Sequence, residues 1–248
     1  MSTASTVTEI AADVYRISTF NPEYRMQFNQ FLVLDDEPFL MHTGLKRMLP
    51  ATLEAVESVT DATSLRWIGF SHFEADECGA LNEWLDTAPQ AQAVCSTVGA
   101  LVSVGDFADR APRPLADGEV LRTGRHRLRF LATPHVPHGW DAGMFFDETE
   151  RVLFCTDLFF QPGDPAPLTA SDLVGGVRES IRANLTGPLA HDMPYTPHTD
   201  GTLRRLAALE PQVLAAMHGS SFRGDGRRAV LDLAGVVREL LAAPGGKV

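Results

Sequence analysis

The chain has 248 residues, 44% of them hydrophobic, with a formal net charge of −11 at pH 7. That length and apolar content suffice for a sizeable core, and nothing marks a second folding unit, so a single domain over 1–248 is expected. So acidic a chain offers no basic face to exchange for counterions, which excludes nucleic acid and anionic membrane surfaces as expected partners.

Residues 1–8 are polar and lack the basic-then-apolar order of an export signal, and no apolar run has the length to cross a bilayer. The cysteines Cys78, Cys95 and Cys155 form no C-x-x-C pair. A reduced, cytoplasmic protein is expected. Apolar runs at 14–18, 28–34 and 38–42 predict opening strands, 51–59 an amphipathic helix, and 65–70 another strand. Next stands Ser71-His72-Phe73-Glu74-Ala75-Asp76-Glu77. In an extended segment residues two apart share a side, so His72, Glu74 and Asp76 converge. Without a counter-charge these carboxylates would repel one another and resist desolvation, so the cluster wants a cation. Leu81, Trp84 and Leu85 repeat at helical spacing, which predicts a helix from near Ala75 with Asp76 and Glu77 in its first turn. There the two carboxylates also suit the positive end of the helix dipole.

Strands are predicted at 91–96, 127–132, 144–146 and 152–156, with 116–119 as a turn before one more. Arg122, Arg125, Arg127 and Arg129 alternate as a solvated face. Helices at 203–209 and 229–241 flank a buried strand at 213–217, and alternation of this kind implies sheet packed against helices. Residues 161–170 and 186–201, rich in Pro and Gly, read as loops suited to substrate contacts or a lid. His191 and His198 lie in the second loop, where an exposed histidine without a specific role is the plainer reading than a proton donor. Trp140 and Met144-Phe145-Phe146 are expected in the core. Cys155, two before Asp157, shares its side if the strand is regular, though a buried inert thiol is the plainer reading.

Further candidate ligands follow apolar runs. Residues 128–131 lead into Thr133-Pro134-His135-Val136-Pro137-His138, 152–156 end at Asp157, and 213–217 end at His218. Pockets of open sheets lie beyond the carboxyl ends of strands, so these loops can deliver their side chains to one rim.

His72-x-Glu74-x-Asp76, the Thr-Pro-x-x-x-His element ending at His138, the strand end Leu-Phe-Cys-Thr-Asp157 and Met217-His218-Gly219 together resemble the metallo-β-lactamase superfamily, and within it the di-iron domain of flavodiiron proteins. The resemblance runs from Leu65 to Gly219. It implies an α/β (α+β) fold, a four-layer αββα sandwich with a binuclear centre at one edge. It further implies that His72, Glu74 and His138 hold one metal, Asp76 and His218 the other, and that Asp157 bridges them. Glu77 stands where the family has a second-metal histidine; it either ligates through oxygen or stands back and leaves an open position. His135 rivals His138, but Gly139-Trp140-Asp141 continues the family pattern after His138, which leaves His135 as an outer donor. His42, before Thr43-Gly44, occupies the place of an outer group near the metals.

Superfamily hydrolases carry H-x-H-x-D-H here, a set suited to zinc. Oxygen donors in place of imidazoles shift preference towards iron, with manganese or zinc as rivals. Glu74, Asp76, Glu77 and Asp157 would together neutralise two divalent ions. The expected function is a non-haem di-iron protein that binds or reduces dioxygen, nitric oxide or peroxide, or oxidises a small substrate. The rivals are a hydrolase of an ester, thioester or lactone working through a metal-bridging hydroxide, and a gas sensor without turnover. Flavodiiron proteins also carry a flavodoxin-like FMN domain. None is expected in this chain, so a separate electron-donor protein is expected to serve it, and a homodimer stays open.

Overall fold

The computed structural model describes residues 4–242, in which two seven-stranded sheets lie face to face between helices. The first sheet runs in chain order: β1 (Thr6–Ala11), β2 (Val14–Asn21), β3 (Met26–Val33), β4 (Phe39–Met41), β5 (Trp67–Gly69), β6 (Gln92–Ser96) and β7 (Arg113–Leu115). Its first four strands are antiparallel, and from β4 to β7 it is parallel. The second sheet holds β8 (Val120–Arg122), β9 (Arg127–Ala132), β10 (Gly143–Asp147), β11 (Val152–Thr156), β12 (Leu168–Thr169), β13 (Val213–Ala216) and β14 (Ser221–Arg223), in the order β12-β14-β13-β11-β10-β9-β8.

Successive strand residues face opposite ways, and that alternation sorts the apolar side chains into layers. Phe31, Phe39 and Met41 of the first sheet meet Phe130, Phe145 and Phe154 of the second between the sheets. The rings of Phe39 and Phe145, and of Phe130 and Phe145, lie 5.1 and 5.3 Å apart, tilted contacts each contributing about 0.5–1.5 kcal/mol beyond burial. Leu32, Leu40 and Ile68 turn the other way, onto α1 (Leu49–Glu57), α2 (Ala75–Cys78) and α3 (Leu81–Thr87), where Val56, Cys78, Leu81 and Trp84 bury against them. The chain then passes through α4 (Thr97–Gly99), a π-helical turn and α5 (Gly105–Phe107). On the far face Leu153, Leu214 and Ala216 meet α6 (Val174–Asn184), α7 (Thr199–Ala207) and α8 (Gly226–Leu241). The result is the αββα sandwich. α8 shows why its residues are helical: Ala229, Val230, Leu233, Ala234 and Val237 make one buried stripe, and the Asp225 side chain accepts from the Arg228 N–H at 2.9 Å, a cap contributing about 1 kcal/mol.

Several expectations are corrected. Residues 6–11 and 174–184 form an edge strand and a helix that the pattern did not announce, and 161–170 contains β12. Trp140, expected in the core, is 61% exposed, while Met144, Phe145 and Phe146 are buried. Cys155 does not share the side of Asp157: it packs with Leu153 among the outer helices. The cause is an irregularity in the β11–β13 register between Phe154 and Thr156, with Thr156 at φ 48°, a left-handed conformation uncommon for a β-branched residue. All three thiols are free and buried, and burial pushes Cys95 up to about 12. Among the described residues no helix is long and apolar enough to cross a membrane.

Candidate metal centre

Four strand ends meet at one edge of the sandwich. After β5, residues 71–73 bend where an extended run was expected, the Glu74 N–H donating to the His72 carbonyl at 3.0 Å, and Glu74 (φ −138°, ψ 156°) precedes the first turn of α2. The loop after β9 is fastened to this segment from the second sheet: Phe73 N–H donates to Asp141 at 2.9 Å, and Gly143 N–H donates to the Ser71 carbonyl at 2.9 Å. Gly139 makes the turn possible at φ +79°, since a Cβ there would sit 3.1 Å from Asp141 Oδ1 and 3.4 Å from His72 Cβ. β11 and β13 are parallel neighbours, paired Thr156 to Ala216, so Asp157 and His218 leave adjacent strand ends together.

His72 and His138 each direct Nε2 at Oε2 of Glu74, both at 2.9 Å, with their ring centroids 4.4 Å apart. Oδ2 of Asp157 lies 3.7 Å from His72 Nε2 and 3.6 Å from His138 Nε2. One donor atom from each of these four residues falls within 4.8 Å of all the others. On the far side Oδ1 of Asp157 is 3.3 Å from His218 Nε2, which is also 3.3 Å from Asp76 Oδ2. The two oxygens of Asp157 thus face different clusters.

Electrostatics explains why the imidazoles gather here. Burial works against a charged His72, yet Glu77, Glu74 and Asp157 outweigh it and push the ring up to about 10. His218 is likewise pushed up to about 10, burial again losing to Asp157 and Asp76. Hydrogen bonds from His138 and His72 hold Glu74 well below the usual carboxylate range. Asp157 is also held low, against burial, by His218 and His72. Protons on these rings supply positive charge that the carboxylates need, and a bound cation would supply it instead and release them. The group of His72, Glu74, His138 and Asp157 therefore fits a cation, with imidazole nitrogens and carboxylate oxygens only, and the other oxygen of Asp157 is turned towards His218.

His72 and His218 each keep one nitrogen for the cluster because the other is held. His218 Nδ1 donates to the Gln27 carbonyl at 2.8 Å. His72 Nδ1 is 2.7 Å from Ser71 Oγ, which donates to Thr156 Oγ1 at 2.9 Å, which donates to Glu77 Oε1 at 2.9 Å. This fixes ring orientation and tautomer through a hydroxyl relay.

Of the two arrangements open to Glu77, its geometry is the one that stands back from the cluster. Glu77 is fully buried and faces away from the cluster: Oε1 accepts from Thr156, and Oε2 accepts from the Ser71 N–H at 3.2 Å and lies 2.7 Å from His42 Nε2. The reason is helical rotation, since consecutive residues of a turn point about 100° apart and Asp76 has the rim. His42 and His72 hold its carboxyl below the usual range although burial acts the other way. His42 is wholly buried against Glu77 rather than in the cluster, and His135 is exposed at φ 63°. His191 and His198 are exposed as well. Ser71 and Thr156 stand in the motifs with no role assigned by the sequence, and Gln27 is outside them; the signal available for the first two was a hydroxyl at the mouth of an apolar run.

The cluster opens into a cavity of about 420 Å3 whose far wall is α6 and residues 189–193. Glu74, Asp76, His138, Asp157 and His218 form one end, and Leu158, Phe159, Phe160, Val177 and Ile181 are among the apolar walls.

A family model described as ODP family beta lactamase matches residues 26–219. Type A flavoprotein fprA of Rhodobacter capsulatus is 30% identical over 77% of this chain and 44% of its own length. Among solved structures, rubredoxin oxygen:oxidoreductase from Desulfovibrio gigas superposes with a TM-score of 0.78 at 23% identity, covering 93% of this chain and 61% of that one. Fragment 1–254 of diflavin flavoprotein A 5 from Nostoc sp. PCC 7120 gives 0.76 at 19% identity, covering 95% and 97%. The chain spans 24% to 44% of the length of the first curated relatives it matches. These neighbours share the two-sheet core described above, and with the model matched over most of its length this chain belongs to the ODP beta-lactamase family.

Proposed function

We propose that this protein holds a pair of iron ions and uses them to bind or reduce dioxygen, with nitric oxide or peroxide as related ligands. In this reading His72, Glu74 and His138 hold one ion, Asp76 and His218 hold the other, and Asp157 bridges. The observation that carries it is the split of Asp157, Oδ1 towards His218 and Oδ2 towards His72 and His138. The balance of carboxylate over imidazole favours iron over zinc, and the name of the Desulfovibrio gigas neighbour supports dioxygen as acceptor and a rubredoxin-type protein as donor.

The ions would supply electrons and an open coordination position. The chain supplies the rest. Ser71, Thr156 and Glu77 keep the His72 proton on Nδ1 so that Nε2 stays free, and the Gln27 carbonyl does the same for His218. With Glu77 turned inward, Asp76, His218 and Asp157 are the residues that would hold the second ion, and all three line the cavity. The apolar walls line the approach to the cluster, while Glu74 stays open to solvent.

Metal analysis with an optical spectrum after aerobic purification tests the proposal. About two irons per chain, with absorption that changes on reduction and re-exposure to oxygen, is the expected result. Stoichiometric zinc without visible absorption would defeat it.

A further inference from the structure

The inward positions of β3 change character along the strand. Phe31 and Val33 pack in the aromatic interior, but Gln27 and Asn29, on the same side by alternation, are polar and buried. On β2 Arg16 pairs with Phe31 and Ser18 with Asn29, and Arg16 is only 1% exposed. A guanidinium at such depth is costly. Burial pushes it down to about 10, so it keeps its charge at neutral pH.

Arg16, Gln27 and Asn29 converge on the turn at 216–219 that carries His218. Asn29 N–H donates to the Met217 carbonyl at 2.9 Å, and Asn29 Nδ2 donates to the carbonyls of Ala216 and Gly219 at 2.8 and 2.9 Å. Gln27 supplies the carbonyl that holds His218 Nδ1. Arg16 Nη2 donates to the Gly219 carbonyl at 2.9 Å and to Gln27 Oε1 at 2.6 Å. Gln27 Nε2 continues the connection to Asp164 Oδ1 at 2.6 Å. Gly219 makes the turn at φ +96°, where a Cβ would lie 2.6 Å from that of Gln161. Its carbonyl thus receives two donors, a neutral one from Asn29 and a charged one from Arg16, and a charged donor makes a bond about twice as strong.

We propose that Arg16 is a positioning residue of the metal centre: through the Gly219 carbonyl and the Gln27 side chain it fixes the turn on which His218 stands, and so sets how tightly Asp76 and His218 take their ion. The inference rests on the cation pair proposed above. Its effect is confined to one ion, because His72 and His138 stand on other segments, after β5 and after β9.

The test is cobalt(II) titration of the full chain, followed by visible ligand-field bands, with His138→Ala and His218→Ala assigning the bands of each ion. In Arg16→Met the second ion should bind about tenfold or more weakly, the usual cost of removing a group that orients a ligand, and the first within about twofold of the parent. Both Arg16 bonds leave one nitrogen, so Arg16→Lys, which also brings a charged donor, should recover most of the loss. A role in stability alone would not give that selectivity together with that rescue. Ile17→Ala, on the opposite face of β2, should lower stability and weaken neither ion. Should Arg16→Met fail to fold, Gln27→Met carries the test. It keeps the backbone carbonyl that holds His218, removes the Oε1 contact with Arg16, and should weaken the second ion about fivefold. A parent chain that takes up fewer than two ions defeats the pair and this inference with it. A parent that takes up both, with Arg16→Met or Gln27→Met weakening neither ion or both alike, overturns the role of Arg16 and leaves the pair standing.

Discussion

Strand β9 carries a histidine–carboxylate group at each end, and the two could hardly be more different in use. Before the strand, His126 Nδ1 donates to Asp147 at 2.7 Å with both side chains fully buried, while Nε2 lies 2.9 Å from Arg125. Asp147 also accepts from the Thr149 N–H, and nearby Asp35 accepts from Thr123 and from the backbone of Arg125 and His126. Those donors hold Asp35 down to about 2 although burial acts the other way. Donors and acceptors balance there, which closes the group to any ligand. Beyond the strand, His138 joins a cluster in which carboxylates compete for shared imidazoles beside an open chamber. The lesson is that residue type alone does not mark a site; unbalanced charge facing a cavity does.

The largest effect that separates the two ends is expected from Asp157→Ala, which should abolish binding of both ions by elemental analysis because one side chain serves each half-site. Retention of one full equivalent would show that Asp157 does not bridge. His126→Ala should leave metal content intact yet lower stability by about 3 kcal/mol in urea unfolding, by leaving Asp147 buried without its partner. Metal loss at that end would erase the contrast. Glu77→Gln keeps the shape of the side chain beneath the cluster and should weaken metal affinity about tenfold while both equivalents still bind at saturation. Loss of an equivalent would make Glu77 a ligand after all.

The most gradual expected effect is a pH dependence of opposite sign with and without metal. In metal-free protein His72 and His218 are raised from 6.5 to about 10, so their contribution is complete below pH 6.5 and is lost as pH rises towards 10. Metal binding requires the neutral rings, so affinity should climb through that same window. Urea midpoints of the metal-free form that rise between pH 7 and 9.5, about the middle of that window, would contradict the charge balance described here.

Much of the layer order was legible because alternation and helical spacing are direct consequences of burial. The prediction of 127–132 and 152–156 coincides with β9 and β11, and the helix start at Ala75 coincides with α2. What escaped had physical causes. α6 carries Gly175 and Gly176 and only a thin apolar stripe, so its pattern is weak although it walls the chamber. Cys155 is the buried thiol expected, and it parts from the side of Asp157 because alternation fails where Thr156 adopts a left-handed backbone. Trp140 follows the glycine turn whose neighbour Asp141 is tied to Phe73, and the indole is left in solvent. The direction of Glu77 was implicit in the helix start itself: once Asp76 faces the rim, the next residue must face the core.

The cluster draws His72, Glu74 and Asp76 from beyond β5 of one sheet, and His138, Asp157 and His218 from beyond β9, β11 and β13 of the other. Ions seated there would act as a clasp on the open edge of a two-leaved book whose spine is the aromatic interior. Stripping them should let the leaves part from that edge first, with amide exchange quickening at residues 71–74 and 156–158 before it reaches Phe39, Phe130 or Phe145.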